Sequence, residues 1–338
     1  MKREARLFLI RHGETVDNVA QVYAGSRDSA LTNHGHQQAT RLGQHFKTLG
    51  LSFTHIYSSH LQRAAKTAGL IRQAQTVPTT AHGPAISNPE VIQLPVLMEK
   101  DFGVYEGKKF HERWNERKSL ENNEDSKGVE SRESMSDRAD IVLDEHLLPL
   151  FHGATKSNLC IAIVSHGMFL SALWKQFLLR LPPSSITLVP ELAATPRNSL
   201  DVVGWSNTGF LELHMTQELS EPQPNTENTL DSTLGSPPVD DTDNALSKVE
   251  TDPGTKLPSN STAYIVDADA TNVSVASTVA ANQSNCMRFD QTWTTVIRAI
   301  NAKDHLRGLK RTGGGVGSSR HDSSQQSIHS FFKRQKLE

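Results

Sequence analysis

The stretch FLIRHGETVDN, residues 8–18, decides how this chain is read. A short apolar run ends abruptly in Arg11 and His12 and then Gly13, as if a buried strand delivered a cation and an imidazole at its carboxyl end. Two further stretches repeat the arrangement: SSHLQRAAKTA (58–68) places Arg63 just past FTHIYSS, and IAIVSHGMFL (161–170) places His166 and Gly167 just past another apolar run.

Outward from these points, strand-like and helix-like segments alternate. RLFLI is followed by LTNHGHQQATRLGQHFKTL, whose Thr32 cap and stripe of Ala39, Leu42, Phe46 and Leu49 predict a helix. FTHIYSS predicts a strand and LQRAAKTAGLIRQA a helix. VIQLPVLMEKDFGVYEG supplies an extended piece and a turn, DRADIVLDEHLLPLF a helix, NLCIAIVSHG a strand and GMFLSALWKQFLL a helix. Such alternation, with buried-looking strands, argues for a mostly parallel sheet covered on both faces. In these sheets, sites form at the carboxyl ends of strands.

Composition limits how much of the 338-residue chain folds. Hydrophobic residues make up 36% and aromatic ones 6%, with a mean hydropathy of −0.46, values low for a wholly globular protein. Between Glu218 and Asp252 nine acidic residues face one lysine among Pro, Ser, Thr and Asn, a composition that predicts disorder. WTTVIRAI reads as a strand again and is expected to pair with TGFLELHM across that insertion, since long loops add little closure entropy. The predicted organisation is a main domain over 1–216, a disordered insertion over 217–290, a closing strand and turn over 291–309, and a disordered basic tail over 310–338. Within that tail the glycine-rich TGGGVGSSR reads as a flexible linker, because it lacks the Gly-Lys-Ser/Thr ending of a phosphate loop.

A net charge of −2 offers no general attraction for nucleic acid, and no direct sequence-specific binding of it is expected. Two cysteines, Cys160 in an apolar run and Cys286 in a polar one, argue against a disulfide framework. The first apolar run stops after four residues, too short for a signal peptide or a membrane span. An intracellular protein is expected. His34 and His36 open a helix without Cys or carboxylate at ligand spacing and are poor metal candidates.

Cleaving a phosphate ester needs a nucleophile, cations for the anionic oxygens and an acid for the leaving alcohol. His12, Arg11, Arg63, His166 and Glu99 supply that set. A neutral His12 can attack phosphorus, Arg11 and Arg63 present forked donors, and Glu99 stands beside Leu97 and Phe102. Taken singly, each residue reads as readily as a core histidine, a solvated arginine or a surface carboxylate; their joint occurrence carries the argument.

The motifs RHGETVDN, DSALTNHGHQQA, YSSHLQRAAKTA, LMEKDFGVYEG, VSHGMFLSAL and SNTGFLEL, in that order, resemble the histidine phosphatase superfamily, also called phosphoglycerate-mutase-like. The resemblance implies a three-layer α/β/α sandwich, a phosphohistidine at His12, phosphoryl binding by Arg11, Arg63 and His166 with Gly167, and proton donation by Glu99. Asn18 matches a position that helps hold phosphate. The resemblance likewise implies no metal and no organic cofactor. Asp17 departs from the aromatic residue many relatives carry there, and residues 108–134 form a long charged segment expected to cap the site. The form of LMEKDFGVYEG is similar to the phosphatase branch, which favours hydrolysis over mutase activity. A catalytically weak member acting as an interaction module is the competing reading.

Near the end, QQSIHSFFKRQK sets Gln325, Ile328, Phe331 and Phe332 in the spacing Q-x-x-I-x-x-F-F. Apolar side chains in a polar tail favour a partner surface. The pattern resembles the sliding-clamp-binding peptide (PIP box) of replication and repair proteins. It implies a DNA sliding clamp (PCNA) as partner and, with Lys333, Arg334 and Lys336, a nuclear location.

Overall fold

The apolar alternation around residue 8 becomes strand β1 (Lys2–Arg11), which sends Leu7 and Leu9 to one face of a sheet and Phe8 and Ile10 to the other. The computed structural model describes residues 2–75, 89–111, 128–153, 157–182, 184–192, 204–218 and 286–324. After β1 come α1 (Val16–Ala20), α2 (Asn33–Thr48), β2 (His55–Ser58), α3 (Gln62–Gln75) and β3 (Val91–Gln93). Next, α4 (Arg132–Ile141) runs through a π-helical turn (Val142–Leu147) into α5 (Leu148–His152). Strand β4 (Leu159–Ser165), α6 (Gly167–Arg180), β5 (Ile186–Leu188), β6 (Phe210–Glu218) and β7 (Trp293–Ala302) complete the series.

The seven strands form one sheet in the order β3-β2-β4-β1-β6-β7-β5. Every pairing is parallel except those of β6, which runs antiparallel to both β1 and β7. Helices α2 and α3 cover the Phe8 face through Leu42, Phe46, Ala64, Ala68 and Ile71. Helices α4, α5 and α6 cover the Leu7 face through Ala139, Phe151, Phe169, Leu173 and Trp174. The result is the expected α/β sandwich. Its parallel centre, β2-β4-β1, brings three carboxyl ends to one edge: Arg11 pairs with Ser165, and Ser58 with Val164.

The predicted return of β7 onto β6 holds, with Gln217 opposite Trp293 and Leu213 opposite Ile297. The boundaries of the insertion are corrected. Gln217 and Glu218 belong to β6, while Phe289 is buried against Phe151 and Phe177, because an aromatic next to an open core gains more by burial than by solvation. Residues 219–285 of the insertion lie outside the described residues.

The tail requires a larger correction. Residues 310–324, expected to be unfolded, lie as a strap against the start of α2. Asn33 N–H donates to the Ser319 carbonyl (2.9 Å), His321 N–H to the Leu31 carbonyl (2.9 Å), and Thr32 and Arg320 form a bridge. The glycines that suggested a linker make the turn instead: Gly314 and Gly315 take φ of +66° and +80°, the left-handed region that glycine enters without strain. Gln325, Ile328, Phe331 and Phe332 lie outside the described residues.

Candidate active site

His12 follows β1 directly, and its backbone N–H donates to the Ser165 carbonyl at 3.0 Å, which ties the β1 end to the β4 end. Its Nδ1 lies 2.7 Å from the Gly13 carbonyl. A carbonyl only accepts, so Nδ1 carries the proton and the Nε2 lone pair is the one left to react. Burial, reinforced by the charges of Arg63 and Arg11, holds His12 well below the ordinary imidazole range. The ring is therefore neutral at neutral pH. The turn behind it is tight: a Cβ on Gly13 would stand 2.5 Å from the Gly35 carbonyl oxygen, so the His12–Gly13 turn rests on the first turn of α2.

His166 ends β4 and begins α6, and its ring lies 5.1 Å from that of His12. Arg63 Nε donates to His166 Nδ1 at 3.1 Å, which places the His166 proton on Nε2. That Nε2, and Arg11 Nε, are buried donors without a hydrogen-bond partner. Unpaired buried donors cost free energy unless a ligand satisfies them, and two of them near one cavity suit an anionic group. Burial, then Arg63, His12 and Arg11, keep His166 well below its usual value.

The two arginines differ. Arg11 donates from Nη1 to the Trp205 carbonyl at 2.6 Å. Arg63 commits more of its fork: Nη1 donates to the Arg27 carbonyl (2.7 Å), and Nη2 to those of Ala24 (3.1 Å) and Gly25 (2.8 Å). Burial lowers the pKa of both, partly offset by the charge of Glu99. Among the described residues neither arginine forms an ion pair, so their charge is directed at the cavity. The loop that grips Arg63 is itself held by Glu106, whose carboxylate accepts from the N–H groups of Gly25, Ser26 and Phe102 within 3.1 Å.

Glu99 faces the same space. Its Oε1 accepts from the N–H of Lys100 (2.9 Å) and Phe169 (3.0 Å), and its Oε2 from that of Met168 (3.2 Å). The carboxyl thus satisfies two free N–H groups at the start of α6, which fixes it in the wall of the cavity that His12 also lines.

A cavity of about 410 Å³ is lined by Arg11, His12, Asn18, Arg63, Glu99 and Gly167. Every predicted pocket residue lines it except His166, whose ring lies 5.1 Å from that of His12. Asn18 also closes a reciprocal cap with Thr15 at the start of α1. Its Oδ1 accepts in addition from Asn207 Nδ2 at 3.1 Å.

Beyond Phe102, which the sequence placed beside Glu99, sequence reasoning missed the cavity's apolar walls, Val22, Tyr23, Phe110, Met168 and Trp205. Trp205 sits on the turn before β6, and its Nε1–H donates to Ser171 Oγ at 3.0 Å. The SNTGFLEL motif begins one residue after Trp205 and was the one signal pointing to it. Residues 112–127, most of the charged segment expected to cap the site, lie outside the described residues.

Sequence comparisons place the chain in a known family. The profile of the histidine phosphatase superfamily, branch 1, matches residues 7–210, and the chain belongs to that family. It is 33% identical over 183 residues to a protein of Erwinia tasmaniensis named "probable phosphoglycerate mutase", covering 50% of this chain and 72% of the relative. It is 34% identical over 207 residues to a "probable phosphatase" of Schizosaccharomyces pombe, covering 60% of this chain and 62% of the relative, less than two thirds of the latter's length. The crystal structure of a phosphoglycerate mutase from Bacillus anthracis aligns with 63% of this chain and 88% of its own, with a TM-score of 0.48 at 21% identity.

Proposed function

We propose that the protein is a phosphomonoesterase working through a phosphohistidine on His12. The observation that carries this reading is the neutral His12 ring, its Nδ1 committed to the Gly13 carbonyl and its Nε2 lone pair left to react, together with two buried donors that have no partner, Arg11 Nε on the cavity wall and His166 Nε2 in the neighbouring ring. In the first half-reaction His12 Nε2 attacks phosphorus, the ester P–O bond breaks, and Glu99 gives its proton to the departing oxygen. Arg11, Arg63 and His166 hold the phosphoryl oxygens. In the second, water attacks the phosphohistidine, Glu99 takes the water proton, the P–N bond breaks, and inorganic phosphate leaves with His12 regenerated.

The cavity walls favour hydrolysis over mutase chemistry. A mutase holds an intermediate with two phosphoryl groups and needs cations for both. Among the described lining residues the cations are Arg11 and Arg63, and the remaining wall is mostly apolar. The preferred substrate is a monoester with an apolar or aromatic leaving group. Hydrolysis of nitrophenyl phosphate in the presence of a chelator tests this, wild type beside His12→Ala. The variant is expected to lose at least about 10⁴-fold in kcat, the scale of removing a nucleophile. Phosphoglycerate is expected to be the poorer substrate. A fully active His12→Ala would end the mechanism, and an inactive wild type would favour the interaction-module reading.

The tail supports a second role, as a tether to a DNA sliding clamp, with a nuclear location as its corollary. What supports it is the spacing of Gln325, Ile328, Phe331 and Phe332 directly after the strap's last described residue, Ser324. Calorimetry of the full chain with a purified clamp checks it, and binding is expected to vanish in the Phe331→Ala, Phe332→Ala double variant.

A further inference from the structure

The strap over 310–324 lies outside the residues matched by the family profile, yet it reaches the nucleophile loop. Arg311 Nη1 donates to Glu14 Oε1 at 2.8 Å and its Nη2 to Glu14 Oε2, a fork-to-carboxylate pair. Glu14 stands two residues after His12. Its side chain is only 11% exposed, so its charge needs a partner.

The same carboxylate accepts from Thr32 Oγ1 at 2.8 Å, and the Glu14 N–H donates to Gln38 Oε1 at 2.9 Å. Glu14 is thereby fixed to the first turns of α2. The residue between Glu14 and His12 is Gly13, whose carbonyl accepts from His12 Nδ1. Two features hold Arg311 in place. Ser318 Oγ accepts from its Nη1 at 2.9 Å. A Cβ on Gly317 would overlap Arg311 Cγ, so glycine lets the turn close over the side chain. Farther along, His321 stacks on His36 with ring centroids 3.7 Å apart and pairs with Asn33 Oδ1 at 2.9 Å.

We propose that Arg311 is a positioning residue for His12, acting through Glu14 and the Gly13 carbonyl, so that the Arg311 turn of the C-terminal strap supports the catalytic site. Removing the guanidinium leaves Glu14 buried without its counter-charge. The carboxyl then turns toward water, its contact with Thr32 is lost, and the 12–14 turn relaxes with the ring it orients. The inference rests on His12 as nucleophile.

The test compares Arg311→Gln, Glu14→Gln, the double variant and Arg311→Lys with wild type, using nitrophenyl phosphate. Arg311→Gln is expected to lower kcat about 10-fold to 100-fold with KM within about twofold, the scale on which supporting residues and small misplacements act. Because both groups act as one unit, the double variant falls no further than the worse single variant. Arg311→Lys, which keeps the charge without the fork, recovers part of the loss. His321→Ala, which loosens the strap away from Glu14, keeps wild-type kcat.

Nitrogen NMR of the His12 ring supplies a readout that needs no turnover: its Nδ1–H signal shifts or broadens in Arg311→Gln and stays in place in His321→Ala. Should Arg311→Gln misfold, Arg311→Lys with the same spectrum decides. Unchanged kcat and an unchanged His12 signal would overturn the inference, as would additive losses in the double variant. A wild type inactive toward nitrophenyl phosphate would remove the proposed function, while the His12 spectrum would still decide this inference.

Discussion

The two ends of α6 both bury an arginine close by, and they use it in opposite ways. At the carboxyl end Arg180 donates to Asp140 (2.6 Å), Asp144 (2.7 Å) and the Met287 carbonyl (2.5 Å). Burial lowers its pKa, but the two aspartates outweigh that and raise it. At the amino end, about 20 Å away along the axis, Arg11 and Arg63 are buried with carbonyls and an imidazole as partners, and their pKa values are lowered. Arg180 is a neutralised crosslink between α6, α4 and the π-helical turn. The pocket arginines form no ion pair among the described residues and are only partly offset, Arg11 by Glu99 and Arg63 by Glu99, Asp28, Glu106 and Asp17, which on the proposed function leaves charge for a phosphoryl group. Compensation, rather than burial, separates a structural cation from a binding one.

Substitutions at the two ends should therefore fail differently. Arg63→Ala is expected to lower kcat/KM about 10³-fold, as for loss of one oxyanion donor. Steady-state kinetics with nitrophenyl phosphate checks this. Loss of less than tenfold would mean that Arg63 mainly shapes the 24–27 loop. Arg180→Met is expected to lower stability by about 2–3 kcal/mol, toward the lower side for a broken buried ion pair because both aspartates are partly exposed. Its kcat/KM per folded molecule should stay within about twofold. Urea unfolding with parallel kinetics separates the two terms, and a large kinetic loss at Arg180 would remove the contrast.

The smallest effect concerns pH. His12 and His166 have depressed folded-state pKa values, so below the unfolded value of about 6.5 the unfolded chain binds protons that the folded pocket refuses. Stability contributed by these two groups is present above about pH 6.5 and declines as pH falls beneath it. Inorganic phosphate, which supplies the missing counter-charge, should slow that decline. Melting temperature against pH, with and without phosphate, checks the sign.

Much of the pocket was legible because its parts are local: each of Arg11, His12, Arg63 and His166 lies at, or within five residues after, a strand's carboxyl end, and parallel strands deliver such positions to one edge. The Thr32 cap and the β6-β7 return were readable for the same reason. The short β5 was not, since three residues at a sheet edge carry no period. The strap misled because glycine-rich composition describes freedom in the unfolded chain, whereas Gly314, Gly315 and Gly317 use that freedom for one turn. The Arg311–Glu14 pair spans 297 positions, and no local pattern announces it. The rest of the cavity's aromatic wall was hidden similarly, drawn from Tyr23, Phe110 and Trp205 on three separate segments.

The most direct measurement is to mix the protein with a phosphomonoester, quench during turnover, digest with trypsin under alkaline conditions and locate the phosphate by mass spectrometry. The account predicts an acid-labile phosphate on the peptide that begins at His12 and ends at Arg27, absent from His12→Ala. Turnover with no phosphorylated peptide, or with phosphate on any other side chain, would contradict it.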